Sequence, residues 1–126
     1  MSNRYRSKFE ARVAEDLAKK GQTFAYEDRK LDYLEPAKNR KYTVDFSLEC
    51  GIIVECKGRL TAADRKKMLL VKDQHPDKDI RMLFQRASNP IYTGSNTTYA
   101  QWADNNGFKW AEGSVPEEWL NEVVPS

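Results

Sequence analysis

Residues 43–59, TVDFSLECGIIVECKGR, constrain this chain more than any other stretch. Val44 and Phe46 alternate with Asp45 and Ser47, the period of a half-buried strand. Glu49, Cys50 and Gly51 supply a turn, and Gly51 can take a positive φ. Ile52, Ile53 and Val54 are consecutive β-branched residues, the composition of a buried strand. The pattern predicts two short strands joined by a tight turn. Three ionisable groups interrupt it: Asp45, Glu55 and Lys57. Glu55 and Lys57 lie on one face, because side chains alternate along a strand. A turn at Cys50 and Gly51 runs Asp45 back alongside Glu55. Two carboxylates and an ammonium therefore meet at one end of an apolar hairpin.

Burying such charges is costly unless they are paired or hold a metal. Two carboxylates and a nearby backbone carbonyl make a hard oxygen site suited to Mg²⁺ or Mn²⁺. A lysine beside it can orient a water or stabilise developing negative charge. This is the apparatus of metal-assisted phosphodiester hydrolysis. The same letters also fit a solvated cross-strand pair at a strand end. Their position after a run that should be buried weighs toward a site.

The 126 residues suit one domain with a single core. Net charge is only +2, but its sign varies along the chain. Arg4, Arg6, Lys8 and Arg12 form one basic cluster. Lys38, Arg40 and Lys41 form a second, and Arg59, Arg65, Lys66, Lys67 and Lys72 a third. Glu112, Glu117, Glu118 and Glu122 gather toward the end. Basic charge thus surrounds the candidate site, either as solvated faces or as a phosphate-binding surface. Cys50 and Cys56 are too few for a disulfide framework, and with one histidine they make no zinc set. Reduced thiols in a cytosolic compartment are expected. No apolar run reaches about eighteen residues, so no membrane span is expected, and the polar start has no signal-peptide core.

Phe9, Val13 and Leu17 recur at helical spacing, predicting an amphipathic helix over 7–20. Ser7 and Glu10 match a capping box. Glu10 is then either a cap or a third carboxylate of the site, and the letters favour the cap. Residues 23–34, rich in aromatics, read as one strand or two short ones. Residues 35–42 (EPAKNRKY) read as a solvated loop, or as an extended connector reaching a partner subunit or DNA. Thr61 caps a helix over 62–74 whose apolar side is Met68, Leu69 and Val71. His75 is expected as a structural residue at its end. Residues 80–84 read as a buried strand joined by that helix in a parallel crossover. Residues 85–97 read as a polar loop and 98–105 as a short helix. Residues 108–111 read as an edge strand, and Pro116 opens the first turn of a last helix with Trp119 and Leu120. The aromatics Tyr99, Trp102 and Trp119 are expected in the core.

Helix with Glu10, hairpin with Asp45, Glu55-Cys56-Lys57, then a basic helix: this order resembles the restriction-endonuclease-like nucleases. The blocks YRSKFEARVAEDLAKKG, YTVDF, IIVECKG, DRKKMLL, QHPDKDIR and VPEEWL resemble, in order, the endonuclease I family of phage Holliday-junction resolvases. The likeness runs from about Tyr5 to about Leu120. It implies an α/β fold with a central mixed β-sheet flanked by helices, as a single nuclease domain over 1–126. It further implies an intertwined, domain-swapped homodimer bridged through 35–42. The implied activity is cleavage of four-way junctions and other branched DNA, leaving 5′-phosphate and 3′-hydroxyl ends. The implied catalytic residues are Glu10, Asp45, Glu55 and Lys57. Two Mg²⁺ or Mn²⁺ ions would be held by Asp45, Glu55, Glu10 and the main-chain carbonyl of Cys56, with Lys57 beside the attacking water. Glu10 would come from the other subunit.

No small-molecule cofactor or membrane is expected, and DNA contacts are expected from Arg4, Arg6, Lys8, Lys38, Arg40, Lys41, Arg59, Arg65, Lys66 and Lys67. The site of action would be the cytoplasm of a bacterial host. The departures are a shorter stretch before Glu10, the missing basic C-terminal tail, and Val44 where proline is common. The rival expectations are a nicking or mismatch nuclease of the same fold and a junction-binding protein without turnover.

Overall fold

The structure, a computed structural model, describes residues 4–35 and 38–122. The chain runs α1 (Lys8–Lys19), β1 (Phe24–Tyr26), β2 (Lys30–Glu35), β3 (Lys38–Thr43), β4 (Phe46–Leu48) and β5 (Ile53–Lys57). It continues through α2 (Ala62–Gln74), β6 (Ile80–Phe84), α3 (Tyr99–Asn105), β7 (Trp110–Glu112) and α4 (Glu117–Leu120). Five strands form a central mixed sheet in the order β1-β4-β5-β6-β7. The pairs β1–β4 and β4–β5 are antiparallel, and β5–β6 and β6–β7 are parallel. The α/β class with helices on a mixed sheet is therefore as expected, including the parallel crossover through α2.

Apolar layers cover both faces of the sheet. On one side Phe9, Val13 and Leu17 of α1 and Trp119 of α4 pack on Phe46, Val54 and Leu83. On the other, Met68 and Val71 of α2 and Tyr99 and Trp102 of α3 pack on Ile53, Met82 and Phe84. Double coverage explains why Ile53 to Cys56 and all of β6 are buried without alternation. The aromatics Tyr99, Trp102 and Trp119 are buried, as expected of core residues. Cys50 and Cys56 are free thiols. No helix among the described residues is long and apolar enough to cross a membrane.

Four expectations change. Residues 38–42, expected as a loop or an extended connector, are strand: β3 pairs antiparallel with β2 from Lys30↔Thr43 to Glu35↔Lys38. Its first four residues are exposed on both faces, so no hydrophobic period announces it. Pro36 and Ala37, in the stretch expected to bridge subunits, lie outside the described residues. Leu69 faces outward, and Met68 and Val71 carry the buried stripe of α2. Pro116 is the N-cap of α4 rather than part of its first turn. Ser7 Oγ does accept from the Glu10 amide at 3.0 Å, but the Glu10 carboxylate takes the Arg6 amide rather than the Ser7 amide, so the box is half made.

The buried strand β6 carries a charge that periodicity did not disclose. Arg81 is 1% exposed. Its guanidinium donates to Asp79 at 2.9 and 2.8 Å and to Glu122 at 2.6 and 2.9 Å. It also lies 5.2 Å from the centroid of the Trp119 ring. The fork thus pins the segment after α4 to the sheet. The Arg81 hydrogen bonds hold the Glu122 carboxyl below its usual range. A depressed folded value stabilises the protein above the ordinary glutamate range and stops doing so as pH falls through the folded value. Arg81→Met is expected to lower stability at neutral pH by about 1–3 kcal/mol. It should also flatten the loss of stability on acidification, read from urea midpoints between about pH 6 and pH 3.

Candidate active site

The hairpin register places the two carboxylates. Leu48 and Ile52 close the turn, with the Leu48 amide donating to the Ile52 carbonyl at 2.8 Å, and Gly51 takes φ 104°. Phe46↔Val54 and Ser47↔Ile53 follow, so Asp45 comes opposite Glu55. Phe46 and Val54 belong to the layer under α1, and Ile53 to the layer under α2. Asp45 precedes the ladder, and its carboxylate Oδ2 accepts from the Cys56 amide at 2.9 Å. A side chain thus satisfies a donor that the short strand β4 leaves behind. The Asp45 carbonyl accepts from the Glu27 amide at 3.0 Å, which fixes the residue from its other side.

Each of the other two carboxylates has its own hydroxyl donor. Glu55 Oε1 accepts from the buried Tyr42 hydroxyl of β3 at 2.6 Å. Glu10 Oε1 accepts from the Tyr26 hydroxyl of β1 at 2.6 Å and from the Arg6 amide at 3.2 Å. Glu10 is 8% exposed, Asp45 9% and Glu55 3%. The letters favoured the cap for Glu10, but the structure turns its carboxylate toward Asp45. Within the single chain, Glu10, Asp45, Glu55 and Lys57 line one cleft of about 320 Å³.

Lys57 is held by Glu55 Oε2 at 3.1 Å and by Asp64 Oδ1 at 3.2 Å. Burial works against its charge, but the Glu55 and Asp64 carboxylates outweigh that and raise its pKa, so it is an ammonium at neutral pH. Asp64 is likewise destabilised by burial, yet Lys57 and the Thr61 amide hold its carboxyl below the usual range. The acidic side of the cleft is less well compensated. Burial, then the Glu55 charge and more weakly that of Glu10, push the Asp45 carboxyl up to about 9, despite the Cys56 amide. Burial and the Glu55 charge also push the Tyr42 hydroxyl well up, so it remains a donor.

Among the described residues no three acidic, histidine or cysteine side chains are closed into a metal cage. The donor chemistry still fits a hard divalent cation. Three buried carboxylates, Glu10, Asp45 and Glu55, share the cleft with the half-buried Lys57 ammonium, and burial followed by the Glu55 charge makes Asp45 resist ionisation there. Cys56 also lines the cleft, while its thiol packs in the layer under α1.

The basic candidates sort unevenly. Arg6, Lys41 and Lys67 line the cleft beside the carboxylates. Lys67 lies 5.5 Å from the Tyr42 ring centroid, Arg6 pairs with Glu27 at 2.9 Å and Lys41 with Asp32 at 2.8 Å. Arg40 and Lys66 both pair with Glu35, at 2.9 and 3.6 Å. Arg65 is committed inward, donating to the Leu60 and Ile91 carbonyls at 3.0 and 2.9 Å. Arg4, Lys8, Lys38 and Arg59 are exposed and lie outside the cleft lining. His75 accepts no catalytic part; its Nε2 lies 2.6 Å from the Asp32 carbonyl, at the end of α2.

Sequence reasoning missed Tyr26, Tyr42, Glu27 and Asp64. The YTVDF block held Tyr42 next to the site, but only the β2–β3 pairing shows that its hydroxyl reaches Glu55. Glu27 lines the cleft with φ 48°, the one positive φ outside glycine among the described residues, and no local pattern marks it. Asp64 had a signal, as the third residue after the Thr61 cap, where it completes a capping box while also holding Lys57.

The cleft lies at one end of a mixed sheet between two helical layers, in a chain of the nuclease class by its relatives. A family model described as phage endonuclease I matches residues 1–126, and the chain belongs to that family. Endonuclease I of Escherichia phage T7 is 43% identical over 118 residues, covering 94% of this chain and 79% of that protein. Endodeoxyribonuclease 1 of Enterobacteria phage T3 is 38% identical over 118 residues, covering 94% of this chain and 78% of that one.

Tyr42→Phe removes the hydroxyl donor and leaves a buried carboxylate oxygen short of a partner. It is expected to cost about 1.5–3 kcal/mol of stability, measured by urea unfolding in EDTA.

Proposed function

We propose that the chain is a metal-dependent, structure-selective DNA endonuclease that resolves four-way junctions and other branched DNA by phosphodiester hydrolysis. Family membership already makes it a phage-type deoxyribonuclease. The observation that carries the rest is the convergence of Glu10, Asp45, Glu55 and Lys57, from α1, the β4–β5 hairpin and its exit, in one cleft with Arg6, Lys41 and Lys67.

Asp45, Glu55, Glu10 and the Cys56 main chain would hold Mg²⁺ or Mn²⁺, two ions per site. Such cations supply a water of lowered pKa and positive charge at the phosphate. Lys57, kept charged between Glu55 and Asp64, donates to the attacking water or to a phosphate oxygen as charge develops there. Tyr42 and Tyr26 hold Glu55 and Glu10 in fixed rotamers, so the carboxylates need little rearrangement. Arg6, Lys41 and Lys67 take the flanking phosphates. Contacts of this type position DNA without reading its sequence, so selectivity comes from the shape of the branch. The working unit is a homodimer bridged through 35–42, with two clefts for the paired cuts of a resolvase, acting in the host cytoplasm.

A synthetic four-way junction with Mg²⁺, with linear duplex as competitor, tests this reading. Paired cuts near the branch are expected, abolished in EDTA and reduced at least about a hundredfold by Glu55→Ala. Equal cutting of linear duplex would mark a nicking nuclease of the same fold. A junction bound but left whole in both Mg²⁺ and Mn²⁺ would overturn the catalytic assignment and leave a binding protein. Affinity should fall linearly on a log–log salt plot, with a slope of about −0.9 per phosphate contacted.

A further inference from the structure

Strand β5 delivers Glu55 and Lys57 to the cleft and then runs out through Gly58 and Arg59. A separate groove of about 230 Å³ begins there, lined by Arg59, Thr61, Asn89, Pro90, Tyr92 and Thr93 among others. It is smaller than the roughly 300–1,000 Å³ of small-molecule sites. None of its described lining residues is acidic. Arg59 is exposed, and no described carboxylate pairs with it. Tyr92 is 62% exposed, one of few large apolar side chains so displayed.

The loop that carries Tyr92 is held on every side. The Ile91 amide donates to the Thr97 carbonyl at 2.9 Å, and the Ser95 amide to the Tyr92 carbonyl at 3.0 Å. The Thr97 amide donates to Ser95 Oγ at 3.0 Å, and Pro90 forms a bridge with Thr98. Arg65 clamps the Ile91 carbonyl to the start of α2. The exposed ring is thus presented by a fixed scaffold rather than a loose loop. An aromatic face beside an unpaired cation, with no acid in the lining, is the pattern that binds unpaired nucleic-acid strands. Two residues of chain reach at most about 7 Å. The Cα atoms of Lys57 and Arg59 are therefore no further apart than that, and the groove opens where the strand that carries Lys57 leaves the cleft.

We propose that this groove receives the DNA strand that flanks the scissile phosphate at a branch, with an unpaired base stacked on Tyr92 and a phosphate on Arg59. The inference rests on the branched-DNA reading above. A base inside a duplex has both faces covered by its neighbours, whereas a branch point can release one. The groove therefore adds a preference for unstacked nucleotides to the phosphate contacts of the main cleft.

Binding to a four-way junction in EDTA, cutting with Mg²⁺, and binding to linear duplex are compared for the full-length protein, Tyr92→Ala, Tyr92→Phe and Arg59→Ala. Both side chains are exposed, so thermal midpoints should stay at the wild-type value. Tyr92→Ala should weaken junction binding roughly 5- to 150-fold, the range for one base on one aromatic ring, and leave linear duplex unchanged. Tyr92→Phe should behave as wild type, because stacking needs the ring and not the hydroxyl. Arg59→Ala should shallow the salt slope by about 0.9, and Tyr92→Ala should not. A 2-aminopurine beside the cleavage position should be quenched on wild-type protein and stay bright on Tyr92→Ala.

Wild-type behaviour of Tyr92→Ala on the junction would overturn the groove while the cleavage reading stood. So would an equal loss on linear duplex, or a Tyr92→Phe defect as large as that of Tyr92→Ala. A wild-type protein that neither binds nor cuts junctions would overturn both, and is seen before any variant is compared.

Discussion

The structure depends on keeping Asp45 and Glu55 side by side at the end of an otherwise apolar hairpin. Water would separate these charges, and the fold denies them water. Their register is fixed by the Gly51 turn and by Phe46 and Val54, which must both face the layer under α1. A slip of one residue would turn Ser47 into that layer and Phe46 to the opposite face, so the hydrophobic layers enforce the acidic pair. The cost appears at Asp45, whose carboxyl is pushed up to about 9 by burial and by Glu55. A local arrangement that opposes folding is thus held in place by apolar layers on both sides.

Each carboxylate is oriented by a donor from a different element. The Cys56 amide serves Asp45, Tyr42 of β3 serves Glu55, and Tyr26 of β1 serves Glu10. The β2–β3 hairpin is therefore wired to the site through one buried hydroxyl. The same hairpin is tied to the end of α2, where Gln74 bonds both the amide and the carbonyl of Leu34, at 2.6 and 2.8 Å. Displacing β3, whether by DNA or by a second copy of the chain, would have to move Tyr42 and so the partner of Glu55. Geometry of the chemistry and geometry of the hairpin are not independent.

What could be read in the sequence was whatever a local period or cap announces. The β4–β5 hairpin, α1, and α2 with its Thr61 cap are such cases, and so are the parallel strands around α2. The facing of Asp45 and Glu55 followed from counting residues through a turn. The β2–β3 pairing did not follow, because Lys38–Lys41 is polar on both faces and looks like a loop until Leu31, Tyr33 and Tyr42 are seen packing on α2. Arg81 was hidden for the opposite reason: its neighbours in β6 are apolar, and only the return of Glu122 gives the guanidinium its partner. Glu10 was ambiguous because Ser7 really does cap its amide, while the carboxylate does something else. Long-range partners decide all three, and spacing along the chain does not encode them.

The basic residues show most plainly why a list of cations is not a binding surface. Arg65 is held by backbone carbonyls, and its charge stabilises a loop. Arg40 and Lys66 share Glu35, so any phosphate they take must first displace an acid. Lys41 faces the cleft but is engaged by Asp32, and Arg6 by Glu27. Such exposed pairs are weak, so a phosphate can replace the carboxylate at little cost. Each exchange frees an acidic side chain to swing into solvent and leaves the cation to the phosphate. A net charge of +2 is then no obstacle to binding a polyanion, because the distribution of charge over one face matters more than its sum.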